Sequence, residues 1–272
     1  MIQVNHISFQ YPGTKKRVFD DFSMSLKENN IYGLLGKNGT GKSTLLYLLS
    51  GLLRQQAGSI FVNGISAKER HVNVLSDIFI VTEEYDFPNV SLATYVKINK
   101  VFYPNFSQEI LENCLRDFEL PVSLHLNELS MGQKKKVFIS FALATGTRYL
   151  FMDEPTNGLD IPSKSQFRKV VASNMSDDRM LIISTHQVHD VESLLDHIVI
   201  LNQNKLLLDS SVAEICDKYT FEYRSPSEMD DTVVYAEPTL QGNAVICKRK
   251  EGDAETKLNL ELLFNAAIEG KM

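Results

Sequence analysis

Apolar and polar positions alternate over residues 2–10 and again over 18–27, where Phe22, Met24 and Leu26 share one face, so both stretches read as half-buried strands. Asn29-Asn30 then turns the chain into "IYGLL", a run without alternation, as expected of a short strand covered on both faces. A glycine-rich loop follows, then a helix over about 42–50 closed by Gly51, then the strand "SIFVNG". "DIFIVT" at 77–82 is a further buried strand. From about 86 to 144 the strand signal disappears and helical spacing takes over in "SLATYVKINKVF", "SQEILENCLRDFEL" and "SMGQKKKVFISFALA". Strands return as "RYLFMD", "RMLIIST" and "HIVILN", interleaved with helices near 162–174 and 187–195. After about residue 216 the text becomes polar and β-like in "TFEYRS", "TVVYAEP" and "NAVICKR", then ends in an amphipathic "LNLELLFNAAI". There is no internal repeat and no low-complexity segment.

Strands alternating with helices of this length predict an α/β fold around a parallel sheet. Antiparallel strands precede it, a helical subdomain is inserted at about 86–144, and a small β/α extension over 216–272 follows a main domain over 1–215. The 272 residues suffice for such a domain and a smaller one. A formal net charge of −6, from 28 basic and 34 acidic residues, does not suggest wholesale nucleic-acid binding. Cys114, Cys216 and Cys247 are odd in number and widely spaced, which suggests neither a disulfide framework nor a zinc site and fits a reducing compartment. The N-terminus lacks the basic start and apolar block of a leader, so the mature chain is expected to begin here. Runs such as "LLYLLSGLL" fall short of the roughly 20 residues of a membrane helix. Any role at a membrane therefore calls for another chain to span it.

"GKNGTGKST" comprises Gly36, Lys37, Asn38, Gly39, Thr40, Gly41, Lys42, Ser43 and Thr44, between an expected strand and an expected helix. That is the context of a P-loop: glycines turn backbone N–H groups inward around phosphates at a helix N-terminus, Lys42 reaches the β- and γ-phosphates, and Ser43 offers its hydroxyl to Mg²⁺. The bland alternative is a flexible glycine loop. "RYLFMDEP" is an apolar strand ending in two carboxylates, where Asp153 suits Mg²⁺ and Glu154 suits polarising a water for in-line attack. Alone it would read as a strand running into a polar turn; the P-loop upstream favours chemistry.

"LSMGQ" precedes "FMDEP" by about one helix and one turn, and "NGLD" and "STH" follow. With these in place the chain resembles, over roughly residues 2–215, the ATP-binding subunits of ABC transporters, which carry an L-S-G-G-Q signature, a D-E ending, a D-loop and a switch histidine. The resemblance makes Leu129 to Gln133 the signature, with Ser130, Gly132 and Gln133 approaching a nucleotide and Met131 in place of the usual first glycine. It makes Asp160 the D-loop aspartate, with Asn157-Gly158 in place of Ser-Ala, and His186 a γ-phosphate contact. Tyr11 becomes the aromatic that stacks on adenine. Without it, Ser130 and Gln133 are a helix capping box, His186 a solvated strand-end residue and Tyr11 an ordinary strand end. At the place of the usual Q-loop glutamine stands Glu83 or Glu84; Glu83 is taken as a further magnesium ligand, its charge needing compensation by the metal or Lys42. Acidic text here resembles exporter-type subunits, as does the "LNLELLF" helix. Lys134 to Lys136 read as the solvated start of a helix.

The resemblance implies an ATPase using ATP and Mg²⁺. It implies a head-to-tail homodimer, or a heterodimer with a sister subunit, closing on ATP held between the P-loop of one chain and the signature of the other. It further implies integral-membrane permease subunits as partners, no nucleic acid, export rather than import, and a cytoplasmic position on the inner face of the membrane. The rivals are a soluble ATPase of this type acting on ribosomes or DNA, disfavoured by the single cassette without heptads, and an ATP-binding interaction switch, disfavoured by Asp153, Glu154 and His186.

Overall fold

The computed structural model describes residues 1–240, 242–250 and 252–272. Its strands are β1 (Ile2–Gln10), β2 (Arg17–Leu26), β3 (Asn30–Leu35), β4 (Ala57–Val62), β5 (Ile65–Ser66), β6 (Ile78–Val81), β7 (Tyr149–Asp153), β8 (Met180–Thr185), β9 (His197–Asn202), β10 (Lys205–Ser211), β11 (Tyr219–Arg224), β12 (Val233–Thr239) and β13 (Gly242–Lys248). Its α-helices are α1 (Lys42–Leu49), α2 (Val72–Leu75), α3 (Leu92–Asn99), α4 (Gln108–Asp117), α5 (Met131–Ala144), α6 (Ile161–Ser173), α7 (Val212–Lys218) and α8 (Leu260–Ile268).

The central sheet runs β10-β9-β3-β8-β7-β6, with every pairing parallel except the edge strand β10. Its parallel strands are mostly apolar runs because both faces are covered, whereas the edge strand β10 is polar at both ends and only partly covered. On β3, β7 and β8 the residues Ile31, Leu150, Met152, Leu181 and Ile183 face one core, with α4, α5 and α6. Tyr32, Leu34, Tyr149, Phe151, Met180 and Ile182 face the other, with α1 and the antiparallel sheet β2-β1-β4-β5. The third sheet, β11-β13-β12, is antiparallel, and α8 lies on β13. Phe221, Tyr235, Ile246, Leu260 and Leu263 join the same core as α5 and α6.

The expected helix near 187–195 is instead two single 3₁₀ turns, Val188–Asp190 and Glu192–Leu194. Tertiary anchors override helical spacing here: Val191 and Leu195 are buried, and the Leu195 side chain fills the space beside Gly33 that a Cβ there would enter. The helix expected from "SLATYVKINKVF" ends at Asn99 and tightens into a 3₁₀ turn over Lys100–Phe102. Among the described residues, no helix is long and apolar enough to cross a membrane.

Candidate functional site

Parallel strands bring their C-terminal ends to one edge, and the site is built there. Leu35 pairs with Thr185, Asp153 with Ser184, and Val81 with Met152, so the loops after β3, β6, β7 and β8 lie side by side.

The loop after β3 is shaped by glycine. Gly39 and Gly41 have φ of 77° and 103°, which an L side chain rarely adopts. A Cβ at Gly36 would lie 2.5 Å from Thr40 Oγ1, and one at Gly41 2.8 Å from Val18 Cγ1. The loop folds over Lys42, whose Nζ donates to the Gly36 carbonyl at 2.7 Å. Thr40 Oγ1 closes the turn onto the Lys37 carbonyl at 2.8 Å. Lys37, Asn38 and Gly39 are exposed and Ser43 is half-buried. Tyr11, packed edge-on against Phe9, places its hydroxyl 3.0 Å from Thr44 Oγ1, so its ring stands at the rim of this loop.

Asp153 and Glu154 are both buried and point to different partners. Asp153 receives the Ser184 hydroxyl. Glu154 has φ of 45°, a conformation that costs a non-glycine residue about 1–3 kcal/mol. That bend carries its carboxylate to the end of β8, where Oε2 accepts from Thr185 Oγ1 at 2.9 Å and Oε1 lies 2.7 Å from His186 Nδ1. The His186 backbone N–H adds a third bond at 3.1 Å. Lys42 Nζ is 3.9 Å from Glu154 Oε1, with both side chains 6% exposed. Burial holds the pKa of Lys42 below the ordinary lysine value, against the pull of Glu154 and Asp153. One buried ammonium and two buried carboxylates thus converge beneath the glycine loop, where the ammonium suits an anionic group and the carboxylates suit a hard cation.

The signature residues stand apart from this cluster. Ser130 and Gln133 form a full capping box at the start of α5: Ser130 Oγ accepts from the Gln133 N–H at 3.3 Å, and Gln133 Oε1 from the Ser130 N–H at 3.0 Å. Among the described residues neither is bonded to the P-loop. Met131 is 76% exposed, and a Cβ at Gly132 would lie 3.3 Å from the Gly158 carbonyl, so this glycine also lets the helix start approach the turn after β7. Asp160 caps α6, accepting from the Ser163 N–H at 2.9 Å. That bonding holds its carboxyl below the usual aspartate range.

Glu83 rather than Glu84 faces these elements: its Oε1 accepts from Asn157 Nδ2 at 2.9 Å and its carbonyl from Lys135 Nζ at 3.1 Å. Among the described residues no cluster of three or more His, Cys, Asp or Glu side chains forms a metal site of its own.

The lysine run departs from expectation. Lys135 is 2% exposed and lies over the Tyr85 ring, 5.2 Å from its centroid. Lys136 binds Gln166 Oε1 at 3.1 Å. They are therefore not a solvated helix start. Lys135 stands four and seven residues before Ile139 and Ala142, on the apolar stripe of α5, a signal that was present in the sequence. Sequence reasoning also passed over Ser184 and Thr185, legible only as the "ST" before His186, and over the side chains of Asn157 and Gln187.

The model of the family described as ABC transporter matches residues 19–157, just over half of the 272. The energy-coupling factor transporter ATP-binding protein EcfA1 of Lactobacillus acidophilus is 32% identical over 229 residues, covering 80% of this chain and 81% of its own. The zinc uptake system ATP-binding protein ZurA of Listeria innocua is 30% identical, covering 79% and 87%. In fold, the chain is similar to a solved ATP-binding subunit of an ABC transporter, with a TM-score of 0.70 at 23% identity over 79% of this chain and 91% of that one. It is also similar to a dimeric ATP-binding cassette in a post-hydrolysis state bound to ADP and Pi, with a TM-score of 0.69 at 21% identity over 78% and 99%. On these likenesses the chain belongs to the ABC transporter family, as an ATP-binding subunit with ATPase activity.

Proposed function

We propose that this subunit binds Mg-ATP on the loop 36–44, with Tyr11 against the base, and drives a separate integral-membrane permease through ATP-dependent closure of a head-to-tail dimer. The observation that carries this reading is the convergence of Lys42, Asp153, Glu154 and His186 beneath the loop 36–44. Lys42 and His186 contact the γ-phosphate, and Glu154, held by Thr185 and His186, takes the proton of the attacking water. Ser43, Asp153 and Glu83 are hard oxygen donors suited to magnesium, which when bound neutralises phosphate charge.

Ser130, Gly132 and Gln133 of a second copy, together with its Asp160, complete the nucleotide site. The capping box leaves the α5 N-terminus facing outward beside exposed Met131, and a helix N-terminus favours an anion. The second copy is this chain or a sister subunit.

The main domain is assigned to residues 1–215, with the helical subdomain at about 86–144, and the extension to 216–272. The names of the relatives, concerned with uptake or transport, favour permease coupling over action on ribosomes or nucleic acid. This coupling would hold the chain at the cytoplasmic face of the membrane. Export rests on the acidic Glu83-Glu84 pair and the C-terminal helix; relatives include zinc uptake and lantibiotic transport proteins and add no weight to either direction.

Lys42→Ala tests the assignment. Fluorescent-ATP binding should weaken at least about tenfold, the loss of a buried charge-assisted contact. Unchanged affinity together with unchanged phosphate release would sink it.

A further inference from the structure

Glu83, in the loop after β6, and Asn157, in the turn after β7, are hydrogen-bonded to each other. The bond belongs to a longer chain of side chains. Lys164 Nζ donates to Gln187 Oε1 at 3.1 Å, Gln187 Nε2 to Asn157 Oδ1 at 2.9 Å, and Asn157 Nδ2 to Glu83 Oε1 at 2.9 Å. A lysine ammonium only donates and a carboxylate only accepts, so the two ends fix both amides: flipping either would set NH₂ against NH₃⁺ or oxygen against carboxylate. Every donor therefore points the same way, from cation to anion, and such a chain polarises each of its members.

The chain also closes around the carboxylate proposed as the base. The Asn157 N–H bonds the Glu154 carbonyl at 3.2 Å, and the Gln187 N–H bonds Thr185 Oγ1 at 2.9 Å. That bond uses a Thr185 lone pair and leaves its single proton for Glu154 Oε2, at 2.9 Å. Glu154, Asn157, Gln187 and the Thr185-His186 pair thus form a ring, to which Glu83 is attached from the loop after β6.

We infer that Asn157 is a positioning residue: its carboxamide ties Glu83 of the loop after β6 to Gln187 beside His186, so that this loop and the Glu154–His186 pair move as one unit. The inference rests on the roles proposed for Glu154 and His186. Glu83 and Asn157 line a groove of about 700 Å³ with Met131, Lys135 and Gly158, so the tie is open to whatever enters that groove.

A double-substitution cycle on the full chain tests it, reading kcat and KM for ATP in the wild type, E83Q, N157D and E83Q/N157D. N157D sets two carboxylates against each other, and kcat should fall about threefold to tenfold, the range of one net hydrogen bond, with KM within about twofold. In the double variant the amide introduced at position 83 donates to the carboxylate introduced at position 157, which still accepts from Gln187. Its kcat should therefore exceed the product of the two single effects by about threefold or more. Effects that multiply independently, or a loss carried by KM alone, would overturn the inference. Glu83 is exposed and Asn157 half-buried, so folding is little at risk. Should N157D not fold, N157S removes both bonds without adding charge. E83A, which removes the acceptor that E83Q would keep, must then reduce kcat less on that background than in the wild type, and an equal reduction overturns the tie. Failure of the underlying reading shows separately, as an unchanged kcat in E154Q, while the coupling between positions 83 and 157 can still be measured.

Discussion

Replacing Glu154 by Gln isolates its negative charge, since the amide keeps the shape and one acceptor oxygen. That oxygen can still serve the His186 N–H, now at 3.1 Å, while the new NH₂ turns toward Thr185. Lys42 loses more. Its Nζ lies 3.9 Å from Glu154 Oε1 with both side chains 6% exposed, and at an effective dielectric near 20 their attraction is roughly 4 kcal/mol before desolvation is set against it. Relief of carboxylate burial and the remaining charge of Asp153 offset about half. The nucleotide-free protein should lose about 2 kcal/mol, a fall in Tm of roughly 4–8 °C at this chain length. Bound triphosphate returns negative charge to Lys42, so Mg-ATP should raise the Tm of the variant more than that of the wild type. Phosphate release should drop by 10²–10⁴, or about 2.7–5.4 kcal/mol of barrier, while ATP binding persists and the closed dimer accumulates. Thermal scanning with and without Mg-ATP, alongside a phosphate-release assay, checks both halves. Turnover within a few-fold of wild type would refute Glu154 as the base, and an ATP-dependent Tm rise no larger than the wild type's would refute the electrostatic account.

Two further outcomes concern the rest of the fold. Arg179 is 5% exposed and donates to the carbonyls of Leu143, Thr147 and Asn174 at 3.3, 3.1 and 2.7 Å. Arg179→Leu strands the Thr147 and Asn174 carbonyls, while that of Leu143 keeps the Gly146 N–H at 3.4 Å, so the protein should lose at least about 2 kcal/mol in urea unfolding; an unchanged midpoint would show that these bonds carry nothing. The Cys114 thiol is pushed up to about 12 by burial, and its Sγ receives Asn174 Nδ2 at 3.6 Å. Maleimide at about neutral pH should leave Cys114 unmodified in the native protein and modify it in denaturant, because only the thiolate reacts; prompt native labelling found by mass spectrometry would contradict this.

The readings that held were those in which one stretch of chain carries its own cause. The glycines of 36–44 announced a tight loop at a helix start, Ser130 and Gln133 announced a capping box, and the unbroken apolar run of β3 announced a strand covered on both faces. The readings that failed needed a partner from elsewhere. Lys135 looked solvated until Tyr85 and the Glu83 carbonyl covered it. The segment 187–195 carried helical spacing, yet its ties to Thr185 and the packing of Leu195 beside Gly33 left it as 3₁₀ turns.

The sequence alone thus determined the P-loop, the carboxylate pair, the signature and their order, because each is written in neighbouring residues whose conformational preferences act over a turn or two. Only the tertiary structure decided that Glu154 is held by Thr185 and His186, and that Asn157 reaches Glu83, 74 residues away, and Gln187, 30 residues away. Those contacts exist because parallel strands in register carry four loops to one edge, and that register is set by backbone bonds between segments whose separation along the chain no local pattern records.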